Sequence, residues 1–294
     1  MVHGLMVFAS VLVASSFTVG AAITYGLDPS VLTLVRFLIA VLVLAPFIGI
    51  RYGFTLPPGK NVTSYALISG CIVGFFWCMF AALRYTTALH TSILFTLVPG
   101  ISGVYSAVIL RERLGWPRLA ALIIAMAGSL WVIFRGDAGR MLALEINRGD
   151  LIFLAGCFLM GFYTPLVKRF HTNEPMAVMT FWILVTGVGW LLLLAGPQLT
   201  AVQWTVVASN VWLGIIYLAV FTTIITFYLS QYSTLRIGPT RVMAYSYLYP
   251  VFVVIIDWGL GNGLPPAAVL PGIVVVLSAM VVLQHGADPD AAGG

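Results

Sequence analysis

The sequence predicts an all-α integral membrane protein of ten transmembrane helices arranged as two inverted five-helix repeats. Three observations predict it. Of 294 residues, 61% are hydrophobic and only 8% are charged, where a water-soluble chain carries roughly 25% charged residues to cover its surface. The apolar residues fall into long runs bounded by Pro, Gly or charge, each near the roughly 20 residues that one membrane crossing needs. A weak internal similarity then relates the two halves.

In order, the runs are Gly4 to Tyr25, Val31 to Ile50, Ser64 to Ala82, Leu89 to Leu110 and Pro117 to Phe134 in the first half. The second half supplies Asp150 to Val167, Pro175 to Gly196, Val206 to Ser230, Thr240 to Gly259 and Pro266 to Gln284. The first run has only His3 as a flanking ionisable group and nine further runs behind it, so it reads as the first span and not as a cleaved signal peptide. The longest break, Arg135 to Asp150, joins the halves, giving a first repeat over 1–145 and a second over 146–294, with the tail from Gly286 expected to be disordered.

Charge sets orientation. With the N-terminus cytoplasmic, the inner loops hold nine of the 14 Lys and Arg residues, among them Arg51, Lys60, Arg111, Lys168 and Arg236, and the outer loops hold four: Arg84, Arg135, Arg140 and Arg148. Cytoplasmic loops are the Lys- and Arg-rich ones, so both termini are expected inside. The net charge of +5 is spread in ones, twos and threes between apolar runs, which is membrane topology and not a nucleic-acid footprint. Cys71, Cys78 and Cys157 all lie in apolar runs and form no metal-ligand spacing. They read as small buried apolar residues, and no metal or other cofactor is expected.

At an offset of 151 residues Ala88 pairs with Pro239, Leu97 with Leu248 and Pro99 with Pro250. Five spans is an odd number, so the second copy enters the membrane from the opposite side. Inverted repeats of this kind surround a central site in transporters. The stretch Ala88 to Pro99, the run Leu110-Arg111-Glu112-Arg113-Leu114 and the echo Pro239 to Pro250 resemble the drug/metabolite transporter superfamily, and in particular its ten-helix EamA-type exporters. The Tyr- and Trp-rich interior most resembles the aromatic amino acid exporters. The resemblance implies a central cavity between the halves and export of amino acids or other small metabolites across a bacterial cytoplasmic membrane.

Candidate cargo contacts follow from polar and aromatic groups within spans, where an unpaired polar group is costly and usually functional. Trp77 and Phe80 continue along one stripe of the third span, Tyr245 and Tyr249 along one stripe of the ninth, and Tyr163 lies in the sixth. His90 and Thr91 open the fourth span just ahead of Pro99. Pro99 and Pro250 each remove a backbone donor and free a carbonyl one turn earlier, so both are read as kink or gating residues. Arg36 is read as a side chain whose stem snorkels to the outer interface, with substrate contact as the alternative, and Asp257 as interfacial.

No carboxylate is evident at mid-depth in any run, which favours facilitated export over proton-driven antiport, with His90 as the alternative coupling group. Ala66, Gly70 and Gly74 form a small-residue ridge for close helix packing. A membrane enzyme would need a clustered catalytic set, and the chain has no HExxH, GxSxG or Walker sequence and four solitary His residues, so no catalytic residues are assigned. The expected partners are the lipid bilayer and a small-molecule cargo, an amino acid, with the chain acting as a monomer.

Overall fold

A computed structural model describes residues 1–111, 116–133, 139, 147–261 and 267–285. Glu112, Arg113 and Leu114, most of the joint between the halves and the tail from Gly286 lie outside the described residues. All regular structure among the described residues is helical. We number the helices α1 Val2–Ile23, α2 Pro29–Arg51, α3 Gly59–Ala82, α4 Ala88–Ile109, α5 Trp116–Ile133, α6 Arg148–Phe170, α7 Met176–Leu199, α8 Ser209–Ile237, α9 Pro239–Gly259 and α10 Leu270–His285.

Eight of these, α1–α4 and α6–α9, are long and apolar enough to cross a membrane. Their outward faces carry side chains such as Leu42, Phe47, Leu193 and Leu213, which in water would form a large apolar patch and in lipid are simply solvated. The protein is therefore a multi-pass membrane protein.

Local sequence explains where helices begin and end. Asp28 accepts the Ser30 N–H at the start of α2, with Pro29 in the first turn. Asn147 and Asp150 form a reciprocal capping box at the start of α6. At the end of α1, Arg84 from the α3–α4 connection donates to the carbonyls of Thr24 and Leu27 at 3.0 and 2.8 Å, satisfying oxygens that a helix end leaves free.

Among the described residues, four helices are broken inside their span. In α4 a 3₁₀ turn, Phe95–Leu97, runs into Pro99; in α9 a 3₁₀ turn, Tyr245–Leu248, runs into Pro250. The breaks sit one turn before each proline, as the lost N–H predicts. α6 is interrupted at Phe162, and α8 passes through a π-helical segment, Val220–Ile225.

The closest helix packing joins the first half to the second: α5 along α10, α3 on α6, α2 and α3 on α7, and α1 on the end of α9. Glycine permits the α3–α6 approach, since a Cβ on Gly74 would lie 2.6 Å from Leu159 Cδ1 and one on Gly156 would lie 2.8 Å from Cys78 Cβ. Cys78 and Cys157 are buried and Cys71 partly so. The core between these helices is rich in rings: Phe17, Phe75, Phe95 and Phe153 pack edge to face at centroid distances of 5.4 to 6.1 Å.

Candidate functional site

Arg36 lies seven residues into α2, roughly 10 Å along its axis at 1.5 Å per residue. Its stem does not snorkel outward. The side chain is fully buried, at 0% exposure, and the sequence-based expectation of an interfacial position is corrected. The reason lies across the core, in the π segment of α8. A π turn bonds one residue too far back, which widens the helix and leaves carbonyl groups for other donors. The Thr222 and Thr223 hydroxyls both spend their single proton on Leu218 O, at 3.0 and 2.8 Å. Their oxygens are left as acceptors, and Arg36 takes them: Nε donates to Thr223 Oγ1 at 2.7 Å, and Nη2 to Thr222 Oγ1 at 3.0 Å and Thr222 O at 3.2 Å.

The guanidinium carbon also sits 4.1 Å from the centre of the Phe76 ring, a contact worth about 2 kcal/mol when desolvated. Phe76 in turn stacks on Phe227 at 6.1 Å. Arg36 is thus held by dipoles and a ring face, with no Asp or Glu against it among the described residues. Its Nη1 makes no hydrogen bond.

Arg36 lines a narrow cavity in the core. Phe17 and Ser16 of α1, Phe75, Phe76 and Met79 of α3, and Phe95 at the α4 break form one side. Met160 and Tyr163 of α6, Thr222, Thr226, Phe227 and Ser230 of α8, and Met243 and Tyr249 of α9 form the other. Both halves of the chain therefore build the wall, and none of the described lining residues is acidic. The free space is about 40 Å³, enough for a few water molecules. Tyr163 is fully buried, and its hydroxyl, with Gln231 as a polar neighbour, makes no well-formed hydrogen bond.

Of the residues expected from sequence, Tyr163 and Tyr249 line this cavity and the others lie elsewhere. Trp77 is 44% exposed on the outer side of α3, because each residue turns a helix by 100° and Phe75, Phe76 and Met79 take the inner face. Phe80 is buried against α1 beside Gly20, and its carbonyl accepts from Thr24 Oγ1. His90 sits at the start of α4 with Nδ1 3.6 Å from Asp150 Oδ1. Thr91 turns its hydroxyl back to the carbonyls of Thr87 and Ala88 in its own helix. Tyr245 meets His3 Nδ1 at 2.5 Å through its hydroxyl. Pro99 and Pro250 follow the two 3₁₀ breaks, beside Phe95 and Tyr249 respectively. Asp257 accepts from Thr18 Oγ1 at 3.0 Å, near the ends of α9 and α1.

Sequence reasoning passed over Thr222 and Thr223 as site residues and preferred a snorkelling Arg36 over one that contacts substrate. The signals were present: a cation placed well inside an apolar run, and three threonines at 222, 223 and 226 in another.

The model of the EamA-like transporter family matches residues 1–134 and 147–284, so nearly the whole chain is covered and the protein belongs to that family. It is a secondary transporter of the drug/metabolite transporter superfamily, and not an enzyme. Among its relatives are the uncharacterized transporter YyaM of Bacillus subtilis (strain 168), 24% identical over 75% of this chain and 73% of that one. The riboflavin transporter of Vibrio cholerae serotype O1 is 23% identical over 90% and 86%. A probable terminal-alkyne amino-acid exporter of Streptantibioticus cattleyicolor is 26% identical over 65% and 62%.

Proposed function

We propose that this transporter exports amino acids, aromatic or other neutral ones, from a bacterial cytoplasm, with both termini on the cytoplasmic side. The two halves, 1–145 and 146–294, work as inverted five-helix repeats that open the central cavity alternately to either face. The observation that carries this reading is the cavity itself: an aromatic chamber with one buried cation, walled by helices of both halves.

Two further features support it. The family match falls in two stretches that coincide with the halves. The breaks end at Leu97 and Leu248, which are related by the same 151-residue offset as their prolines, and this gives each half a helix able to bend beside the cavity. Since the described lining residues include no acid to take up a proton, cargo moves down its own gradient in this reading.

The test is counterflow in liposomes loaded with unlabelled amino acid and given the labelled one outside, with and without a proton gradient. Exchange of phenylalanine, tyrosine or tryptophan without a gradient is expected. Exchange of none of the amino acids sinks the reading. A second cargo class is favoured by the riboflavin-transporting relative, and labelled riboflavin belongs in the same panel.

A further inference from the structure

Arg36 is the charged group of the cavity, among its described lining residues, and its surroundings do not complete it. A fully buried cation in a membrane core ordinarily pairs with an acid or carbonyl groups on all sides, because its desolvation costs several kcal/mol. Here three hydrogen bonds from Nε and Nη2 go to Thr222 and Thr223, one face lies on Phe76, and Nη1 is left without a partner. The threonine hydroxyls and the π turn fix the guanidinium plane while adding no negative charge. Among its described lining residues the cavity accordingly carries one cation, whose Nη1 is a donor without an acceptor, with rings of Phe17, Phe76, Phe95, Tyr163 and Phe227 around it.

From this geometry we infer that Arg36 is the receptor for a cargo carboxylate, and that the cavity selects organic monoanions with an aromatic body, the carboxylate being required and an ammonium group dispensable. An incoming carboxylate supplies the missing acceptor for Nη1 and neutralises the buried charge. Its ring occupies the aromatic wall. An ammonium group finds no carboxylate among the described lining residues, and meets a like charge at Arg36. The inference rests on the transporter reading above but not on amino acids being the cargo.

The test measures binding to the purified full-length protein by titration calorimetry, with three ligands that share a phenyl ring and chain length. Phenylalanine carries both charges, 3-phenylpropionate only the carboxylate, and phenethylamine only the ammonium. With the wild type, 3-phenylpropionate is expected to bind within about threefold of phenylalanine or tighter, and phenethylamine weaker by about tenfold or more, the scale of one charge-assisted hydrogen bond. Arg36→Lys should keep a reduced preference, since an ammonium lacks the planar guanidinium that bonds Thr222 and Thr223 while holding a further donor toward the carboxylate. Arg36→Met should abolish the preference.

Phenethylamine binding as well as 3-phenylpropionate, no binding of either carboxylate, or a preference that survives in Arg36→Met each overturn the inference. Because the wild-type ligand series needs no variant, a misfolded Arg36→Met leaves the test decisive. If 3-phenylpropionate binds through Arg36 while no amino acid shows counterflow, amino acid export fails and the inference stands. If amino acids exchange equally fast in wild type and Arg36→Met, the inference fails and the export reading stands.

Discussion

Two buried charges in this protein have opposite surroundings. Asp150, at the first turn of α6, is saturated: it accepts from Thr86 Oγ1 at 3.0 Å and from the Asn147 N–H at 3.2 Å, and has His90 Nδ1 3.6 Å away. Its own N–H donates to Asn147 Oδ1 at 2.8 Å. The cluster ties the α3–α4 connection to the start of α6, where Gly149 lies so close to Ala82 O that a Cβ would be 2.9 Å from it. Arg36 is anchored but unfinished, with no acid beside it among the described residues and Nη1 unbonded. A charge whose partners are all internal holds the fold together, whereas one with donors to spare can meet a ligand.

The contrast is sharpest under Arg36→Met. Transport of a carboxylate cargo into liposomes should fall by at least about tenfold, while the purified variant keeps its helical circular dichroism, since an apolar side chain fits that core without a desolvation cost. Normal transport by this variant would erase the distinction. Asp150→Ala should do the reverse. It removes a capping-box partner and the Thr86 and His90 contacts, lowering stability by about 1–2 kcal/mol, read as a lower midpoint in thermal unfolding, with 3-phenylpropionate affinity unchanged.

Smaller effects refine the comparison. Thr223→Val takes away the acceptor for Arg36 Nε and should weaken 3-phenylpropionate binding by about threefold to tenfold, the worth of one hydrogen bond to a charged group in part compensated by Thr222.

Glu174, in the α6–α7 connection, is a second saturated acid, this one outside the spans. Burial raises its carboxyl, but the Thr172 hydroxyl and N–H and the Tyr65 hydroxyl outweigh that and hold it below its usual range. A lowered folded value stabilises at neutral pH and is lost as pH falls through that value. Glu174→Gln should therefore lower stability at pH 7 by less than about 1 kcal/mol, read as a slightly lower thermal midpoint, and the gap from wild type should close below about pH 4.

Trp77→Ala should leave transport at the wild-type rate. An impaired variant would mean that the outer side of α3 contributes to the pathway.

Much of the architecture is legible in the chain. Eight of the apolar runs become helices of membrane-crossing length, with ends within a few residues of the Pro, Gly and charge that bound them. The broken α4 and α9 follow from Pro99 and Pro250, because a missing N–H acts within one turn wherever the residue sits. The candidate site was legible only in part. Tyr163 and Tyr249 could be picked as rings at mid-helix, but so could Trp77, and a helical stripe does not say which face meets protein and which meets lipid when both are apolar.

What the sequence determined by itself was the solvent and the secondary structure: few charges and long apolar runs require lipid and leave the backbone only helices to satisfy its polar groups. Tertiary structure alone decided the fate of Arg36. Its acceptors lie 186 and 187 residues away, on Thr222 and Thr223 of a π turn that no spacing rule in α2 announces. Local propensity sets where a helix runs. The rotation of one helix against another, fixed by packing, sets whether a charge on it rests at the interface or stands in the cavity.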